Sequence, residues 1–319
     1  MNNTTAIAGS NPTILYHHLS KAEGIAFFCV FIVACFLIVA GNFLTIVLFA
    51  LSKKLRKRSL FLVINMAASD LLRGAVSLPI FIFMNSDYYF RLGKVKTNQY
   101  VFFSYIFVDT FLSQVSIVSA VSISLERLHT ICWPFRHRVL SIRAYKICVF
   151  ITWALAFFVS SILNLLIWFK GVKMCIYVWM TYALITLLII CGCNFGIWRR
   201  SRQRTRIVSL HNRLSIKSLT HTLLFVSFLA LVCWIPLVIM NYLSLVCHLS
   251  ASAFAHLIAI VLNYCNSCVN PIVYVLRVRE FKQASRLCCL DKRVGVERNG
   301  KNMARMFQAY NNQVMETKL

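Results

Sequence analysis

Residues 24–51 read GIAFFCVFIVACFLIVAGNFLTIVLFAL, a run that contains no charged side chain. A helix needs about 20 apolar residues to cross roughly 30 Å of hydrocarbon, where no water can satisfy an exposed backbone. This run therefore predicts a membrane-spanning helix, and six more of similar length follow: residues 60–84, 100–125, 144–169, 174–198, 218–246 and 251–276. The sequence predicts an all-α membrane protein, a seven-transmembrane helix bundle (24–276) between an N-terminal head (1–23) and a basic tail (277–319).

The distribution of charge predicts the direction in which the chain crosses the membrane. Of 319 residues, 59% are hydrophobic and 13% charged, and 34 Lys and Arg against 9 Asp and Glu give a net charge of +25. A balance this basic also occurs in nucleic-acid-binding proteins, but here 27 basic residues fall on one side of the predicted bundle and 6 on the other. Cytoplasmic segments carry the excess of Lys and Arg. We therefore expect a multi-pass plasma-membrane protein with an extracellular N-terminus and a cytoplasmic C-terminus, in contact with lipid and not with nucleic acid.

Other classes of membrane protein leave signatures that this sequence lacks. A secondary transporter usually shows internal repeats and interrupted spans, and a channel needs polar rings or a filter loop. No group of His, Cys or Glu residues in the spans has the spacing of a metal site or a catalytic triad. The sequence therefore predicts no enzyme, and a transporter or channel is kept as the alternative function.

Ionisable residues inside the spans are the first candidates for function, because a charge at membrane depth is costly. Asp70 and Arg73 lie in the second run and Asp109 in the third. Asp109 and Arg127 are 18 residues apart, which is five turns of a helix, so they share one face. The seventh run has a polar stripe at helical spacing: Asn263, Asn266, Asn270 and Tyr274. Such stripes face each other or water, either as packing contacts between helices or as a functional site.

Short sequence motifs lie on these runs in a fixed order. In chain order they are Gly41-Asn42, residues 65–72 (NMAASDLL), Glu126-Arg127-Leu128, Pro134 in the loop after the third run, Trp153, residues 233–236 (CWIP) and residues 270–274 (NPIVY). With these motifs the chain resembles a class A (rhodopsin-like) G-protein-coupled receptor over residues 24–290. The triplet Glu126-Arg127-Leu128 is similar to the family's DRY motif, and residues 270–274 are similar to its NPxxY motif. Together, in this order, the motifs are specific to the family.

The resemblance implies how such a receptor would switch. Arg127 would pair with Glu126 at rest and turn towards a heterotrimeric G protein on activation. Pro236 and Pro271 remove backbone hydrogen bonds and would kink the sixth and seventh helices. The residues assigned to coupling and switching are Glu126, Arg127, Pro134, Trp234, Pro236, Asn270, Pro271 and Tyr274. The resemblance also implies no cofactor other than an allosteric sodium ion, held by Asp70, Ser116, Asn266 and Asn270, whose oxygen atoms suit a hard cation.

The ligand is left open by the sequence. Asp109 matches the aspartate that binds amines in aminergic receptors, and Tyr264 matches the tyrosine beside it. Against an amine, Leu237 and Val238 replace an aromatic pair, and Arg73 could neutralise Asp109, which would favour a neutral or anionic ligand. The extracellular ligand is thus a small-molecule amine, a lipid or a peptide. The candidate pocket consists of Asp109, Ser113, Tyr264, Trp234, Leu237, Val238 and Arg73.

Several family features are missing. Phe102 stands in place of the third-helix cysteine, Thr186 in place of the fifth-helix proline, and the second extracellular loop shrinks to a few residues around 170–173. These absences resemble those of the subgroup that contains melanocortin, lysophospholipid, cannabinoid and adenosine receptors. Ile216 replaces an acid that restrains the arginine in some relatives, so we expect appreciable basal signalling.

Outside the bundle the sequence suggests covalent modification. Asn2 and Asn3 begin overlapping glycosylation sequons. The pattern after the seventh run predicts a short amphipathic helix at the membrane surface, ending in Cys288 and Cys289, which could carry palmitate. Cys175 and Cys247 lie in or near extracellular segments and could form a disulfide.

Overall fold

The predicted runs are helices that lie side by side in one bundle. The computed structural model describes residues 19–51, 60–90, 92–93, 98–204, 229–230, 232–244 and 252–277. In chain order, the spans one to seven are Lys21–Leu51, Leu60–Met84, Gln99–Cys132, Ile142–Lys170, Val172–Arg204, Val232–Ser244 and Ala253–Arg277. Six of them are long and apolar enough to cross a membrane. Span six is described over Val232–Ser244, which is shorter than the predicted run of 218–246. The described residues confirm the predicted seven-helix fold.

The outward faces of the spans are apolar. Phe36 on span one is 71% exposed, Phe150 on span four 73%, and Leu188 on span five 62%. Large hydrophobic side chains in this number are unusual on a protein surrounded by water. The bundle surface therefore fits a lipid environment, and the polar residues described below lie inside it.

Span three is longer than the sequence predicted. Its helix continues past residue 125 and ends at Cys132, so Glu126 and Arg127 lie within it and not at its end. The stop comes one residue before Pro134, at Trp133, because the residue that precedes a proline is sterically disfavoured in helical conformation. A short helix, Pro134–Val139, then leads to span four.

The connection between spans four and five is a single residue. Span four ends at Lys170, span five begins at Val172, and Gly171 between them has a φ of +83°. Only glycine adopts such a conformation without steric cost. The short loop that the sequence predicted around residues 170–173 is therefore a turn of one residue between two helices.

Spans one, two and seven pack closely through small residues. A Cβ added to Gly74 would lie 2.6 Å from Cγ2 of Ile38, and one added to Gly41 would lie 3.1 Å from Cγ of Pro271. The amide of Asn42 donates to the carbonyl oxygen of Ser267 at 3.1 Å.

Span three packs against spans two, four and five. A polar chain joins three of these helices, since Trp153 Nε1 donates to Asn65 Oδ1 and Asn65 Nδ2 donates to Ser119 Oγ, both at 2.8 Å.

A widened π turn interrupts span two over Arg73–Ser77. Pro79 follows it at the start of the last helical segment of the span. A proline has no N–H, and its ring clashes with the carbonyl four residues earlier, here that of Ala75. The π turn accommodates that conflict, and such turns are frequent at functional sites. Here it carries the buried side chains of Arg73 and Ser77.

Candidate functional site

Asp70 lies inside the bundle and accepts hydrogen bonds from two other spans. Its side chain is completely buried. Ser116 Oγ on span three and Ser267 Oγ on span seven each donate to Oδ1 at 2.8 Å, and Asn270 Nδ2 donates to Oδ2 at 2.8 Å. A carboxylate out of contact with water needs such partners. These hydrogen bonds join spans two, three and seven at one point.

One member of this group differs from the sequence-based expectation. Asn266 is buried, but the described hydrogen bonds to Asp70 do not include it. Its neighbour Ser267 points to the carboxylate instead. The sequence carried a signal for this serine, because Ser267 lies four residues after Asn263 and three before Asn270 and so falls on the same helical stripe.

Asp109 forms a second carboxylate site, one that is only half-buried. Its Oδ1 accepts hydrogen bonds from the hydroxyls of Ser77 and Tyr264, the latter at 3.1 Å. None of the described residues bonds to its Oδ2. Ser77 was not predicted as a site residue, although Asp70, Arg73 and Ser77 have the spacing of one helical face.

An aromatic cluster holds Tyr264 in place. Its ring centroid lies 6.0 Å from that of Phe81 and 6.3 Å from that of Phe31. These rings belong to the apolar core between spans one, two and seven. The hydroxyl of Tyr264 is thereby directed to Asp109 by packing as well as by hydrogen bonding.

Arg73 is buried beside Tyr264, and its side chain is only 2% exposed. The guanidinium donates to the side-chain Oδ1 of Asn263, and to the carbonyl oxygen of Asn263 at 3.4 Å. Its carbon atom Cζ lies 4.5 Å from the ring centroid of Tyr264 and 6.0 Å from that of Trp234. A cation over an aromatic face is stabilised by the quadrupole of the ring. Its Nε remains buried without a hydrogen-bond partner, as does Nδ2 of Asn263.

The pair between Arg73 and Asp109 considered from the sequence is therefore not formed. Among the described residues, no ion pair within 4.0 Å includes either side chain. Tyr264 is the link between them, because it presents its ring to Arg73 and its hydroxyl to Asp109. The ion pair is absent because Arg73 lies in the π turn opposite Asn263. The two oxygen atoms of Asn263, on span seven, accept the hydrogen bonds of the guanidinium instead.

The charge of Arg73 decides how well the Asp70 site suits the expected sodium ion. The carboxylate and hydroxyl oxygens are ligands of the right kind. However, the groups of Ser116, Ser267 and Asn270 already donate to the carboxylate, and a buried guanidinium lies one helical turn along span two. On charge, this site does not fit a further cation, and the sodium ion stays a prediction.

At the other end of span three, Glu126 collects several donors. Arg127 Nε lies 3.3 Å from Oε2, and His137 Nε2 lies 2.9 Å and Tyr145 Oη 3.2 Å from Oε1. His137 belongs to the short helix Pro134–Val139 and Tyr145 to span four. The adjacent pair of Glu126 and Arg127 is formed as the sequence predicted. His137 and Tyr145 were missed, since nothing in their sequence positions indicates that the loop folds back onto Glu126.

The remaining predicted residues divide between described and undescribed parts of the chain. Trp234 is buried and its ring centroid lies 6.2 Å from that of Trp179. Ser113 and Pro271 are buried, and Pro236, Leu237 and Val238 are half-buried. Outside the described residues or side chains lie Asn2, Asn3, Ile216, Cys247, the Tyr274 side chain, Cys288, Cys289 and the amphipathic helix after span seven. The glycosylation, palmitoylation and disulfide of Cys175 with Cys247 therefore stay predictions.

Fold and site together define a class of protein. A seven-helix membrane bundle that has a half-buried carboxylate, a buried polar core and a charged cluster at the far end of span three has the organisation of a transmembrane receptor. Residues 41–274 match the family described as 7 transmembrane receptor (rhodopsin family). The chain belongs to this family, the rhodopsin-like G-protein-coupled receptors, whose members are receptors and not enzymes.

Similar proteins carry different ligands in their names. The chain is 24% identical to the growth hormone secretagogue receptor type 1 of Sus scrofa, over 79% of this chain and 77% of the relative. It is 25% identical to the histamine H2 receptor of Cavia porcellus, over 82% and 79%. It is 23% identical to the trace amine-associated receptor 1 of Homo sapiens, over 79% and 84%. These relatives support a multi-pass receptor of the plasma membrane.

Proposed function

We propose that this receptor binds a protonated amine at Asp109 and passes the signal to a heterotrimeric G protein. The observation that carries the proposal is the state of the Asp109 carboxylate. It is half-buried, it has no cationic partner among the described residues, and its Oδ2 is not engaged by them. An unpaired carboxylate at membrane depth attracts a cation strongly.

The position of Arg73 supports the same chemistry. If Arg73 were paired with Asp109, the pocket would be electrically neutral and an anionic or apolar ligand would be favoured. Its guanidinium is instead bound to Asn263 and covered by Tyr264. Two of the relatives reported above are named for amines, histamine and trace amines. The amine is therefore proposed ahead of the lipid and the peptide.

We infer that the pocket opens to the outside of the cell. Asp109 lies ten residues after the first residue of span three, Gln99, and so in the half of the helix nearer its N-terminus. The excess of Lys and Arg in the segments that follow spans one, three and five supports a cytoplasmic position for them. With this orientation the Glu126 cluster faces the G protein.

Nucleotide exchange on purified G proteins tests the proposal. Receptor in nanodiscs is combined with a panel of G-protein heterotrimers and with primary amines, neutral analogues of the same size, lysolipids and short peptides. We expect exchange to be stimulated by an amine and not by its neutral analogue. Stimulation by a lipid or a peptide alone would replace the amine proposal, and absence of stimulation by any ligand together with flux of a solute would favour a transporter or channel.

The Asp109→Asn variant tests whether Asp109 is the residue that binds the amine. Removing one partner of a buried charge pair costs about 2–5 kcal/mol, so amine potency should fall by at least about 30-fold. Asp87→Asn is the matched control, because Asp87 is exposed in the turn after span two. Unchanged potency in Asp109→Asn would contradict the assignment of Asp109.

A further inference from the structure

The described interior of the bundle holds two carboxylates and one guanidinium. Away from the ends of the spans these groups are Asp70, Arg73 and Asp109. Two negative charges and one positive charge leave one negative charge, which one additional monovalent cation would neutralise. Asp70 and Asp109 are the two groups that this cation can bind.

Arg73 and Asp70 stand one helical turn apart on span two and are also connected through span seven. The guanidinium binds the carbonyl oxygen of Asn263, and four residues further on Ser267 donates its hydroxyl to Asp70. Four residues are about 6 Å along a helix. The positive charge of Arg73 therefore lies close beside the Asp70 cluster, on the side of Tyr264 and Trp234.

Two observations indicate that this guanidinium is fixed in place. Arg73 is nearly fully buried, and the aromatic faces of Tyr264 and Trp234 lie against it. Its Nε is a buried donor with no acceptor, a costly arrangement for a charged group. The side chain is held there although not all of its donors are satisfied, and a buried charge is screened much less than one in water.

The two carboxylates differ in their capacity for another cation. Asp70 is completely buried and accepts hydrogen bonds on both oxygens. Asp109 is half-buried and the described residues bond only to its Oδ1. Among the described residues, the oxygen left for a mobile cation is therefore Oδ2 of Asp109, since both oxygens of Asp70 already accept hydrogen bonds.

We propose that Arg73 is a built-in cation that replaces sodium beside Asp70, so that Asp70 binds no sodium and Asp109 is the only one of the two carboxylates to bind a mobile cation. The receptor thus carries as a side chain the charge that related receptors would take up as an ion. This inference does not depend on the identity of the ligand.

Thermal unfolding of the ligand-free receptor tests it. The purified wild-type receptor is heated in sodium chloride, potassium chloride or choline chloride of equal concentration, and unfolding is followed by tryptophan fluorescence. An ion at concentration c that binds only the folded state stabilises it by RT ln(1 + c/Kd) and so raises the midpoint as c exceeds the dissociation constant Kd. The Asp109→Asn receptor, in which Asp70 is the remaining carboxylate of the two, is heated in parallel. We expect equal midpoints in the three salts for this variant, and a midpoint selectively raised by sodium there would overturn the proposal.

Substitution of Arg73 makes the converse test. In Arg73→Met the cation is gone, and sodium should raise the midpoint by about 2 °C or more relative to potassium, the size expected for a specific ligand. Arg73→Lys retains the charge and should stay insensitive. The double variant Asp70→Asn with Arg73→Met should lose the sodium response again, and Arg143→Met, at an exposed position at the start of span four, is the matched control.

Each outcome of the variants decides the proposal. A sodium response in Arg73→Met that disappears with Asp70→Asn supports it. Insensitivity of both Arg73→Met and Arg73→Gln, with folding shown by a cooperative transition, contradicts it, because the exclusion of sodium would then not come from Arg73. If neither variant folds, the comparison among the three salts still decides, since sodium-selective stabilisation that persists in Asp109→Asn is incompatible with a built-in cation.

Discussion

The hydroxyl of Tyr264 donates a hydrogen bond of 3.1 Å to Oδ1 of Asp109, across residues that are 155 positions apart in the chain. The same oxygen accepts from Ser77, so both donors bond to one oxygen of the carboxylate. The described residues leave Oδ2 without a donor. The orientation of the carboxylate, and not only its charge, is thus set by the tertiary structure.

Tyr264→Phe should lower amine potency while leaving the fold intact. The change removes one hydrogen bond to a charged group, worth about 1.5–3 kcal/mol, and so predicts a loss of roughly tenfold or more. The ring stays and continues to cover Arg73. The measurement is the concentration of amine that gives half-maximal nucleotide exchange, with Tyr100→Phe, at an exposed position of span three, as the control. Equal potencies for the two variants would show that the hydroxyl does not position Asp109.

Glu126→Gln should raise signalling in the absence of ligand. The neutral amide loses the charge attraction to Arg127, which lies 3.3 Å away, and a weaker resting pair shifts the equilibrium towards the signalling state. We expect an increase of about fivefold, the lower end of typical coupling between two states. Ligand-free nucleotide exchange, normalised to surface expression, measures it.

The control for this variant is Glu23→Gln at the opposite end of the bundle, where the glutamate is exposed. Ligand-free signalling of the wild-type receptor should itself exceed that of mock-transfected cells, because Ile216 replaces the acid that restrains the arginine in some relatives. A Glu126→Gln receptor with wild-type basal exchange would show that the pair does not restrain the receptor.

Asn65→Ala should destabilise the bundle. It leaves the indole N–H of Trp153 without its acceptor and Ser119 without its amide donor. An unsatisfied buried donor costs about 1–3 kcal/mol, which corresponds to a fall of several degrees in the midpoint of thermal unfolding. Asn164→Ala is the matched comparison, because within the described part of the chain Asn164 donates to the carbonyl of Ser160 on its own helix. Similar midpoints for both variants would mean that the chain of three side chains adds no stability.

Gly74→Ala should destabilise the receptor for steric reasons, and a second substitution should restore part of the stability. The new methyl group would lie 2.6 Å from Cγ2 and 2.9 Å from Cβ of Ile38, both closer than carbon atoms allow. Overpacking of this kind costs about 1–3 kcal/mol, and we expect a lower unfolding midpoint and reduced surface expression.

The double variant Gly74→Ala with Ile38→Ala should recover part of that loss, because the smaller side chain removes the clash. Gly192→Ala is the control, since nothing lies within 4 Å of the Cβ position there. Equal effects of Gly74→Ala and Gly192→Ala would indicate that helix propensity, and not the contact with Ile38, governs the result.

Much of the fold could be predicted because the membrane imposes its own rule. Span length, apolar composition and the positions of Lys and Arg follow from the properties of the bilayer, and they predict the bounds of spans one, two, four and seven to within three residues. Errors arose where the bilayer no longer decides. Span three runs on to Cys132 until Pro134 stops it, and His137 returns to Glu126 through a helix outside the spans.

The candidate site was predicted less completely, because a stripe on one helix does not specify its partners on another. Asp70, Ser116 and Asn270 do meet, yet Ser267 takes the position expected of Asn266. A rotation of one residue on span seven, about 100°, is enough to exchange the two. Such a rotation is set by packing between spans one, two and seven, where Gly41 meets Pro271.

The sequence by itself determined that this chain crosses the membrane as a helical bundle, that it carries the motifs of its family, and that few charges lie inside it. These properties depend on composition and local spacing, which determine directly how each segment interacts with the lipid bilayer. Only the tertiary structure decided which partner each buried charge has. Arg73 binds Asn263 and the face of Tyr264, and Asp109 binds Ser77 and the hydroxyl of Tyr264. The reason is that a buried ion bonds to whatever groups packing brings within about 3 Å, and the relative rotation of helices far apart in sequence sets those distances.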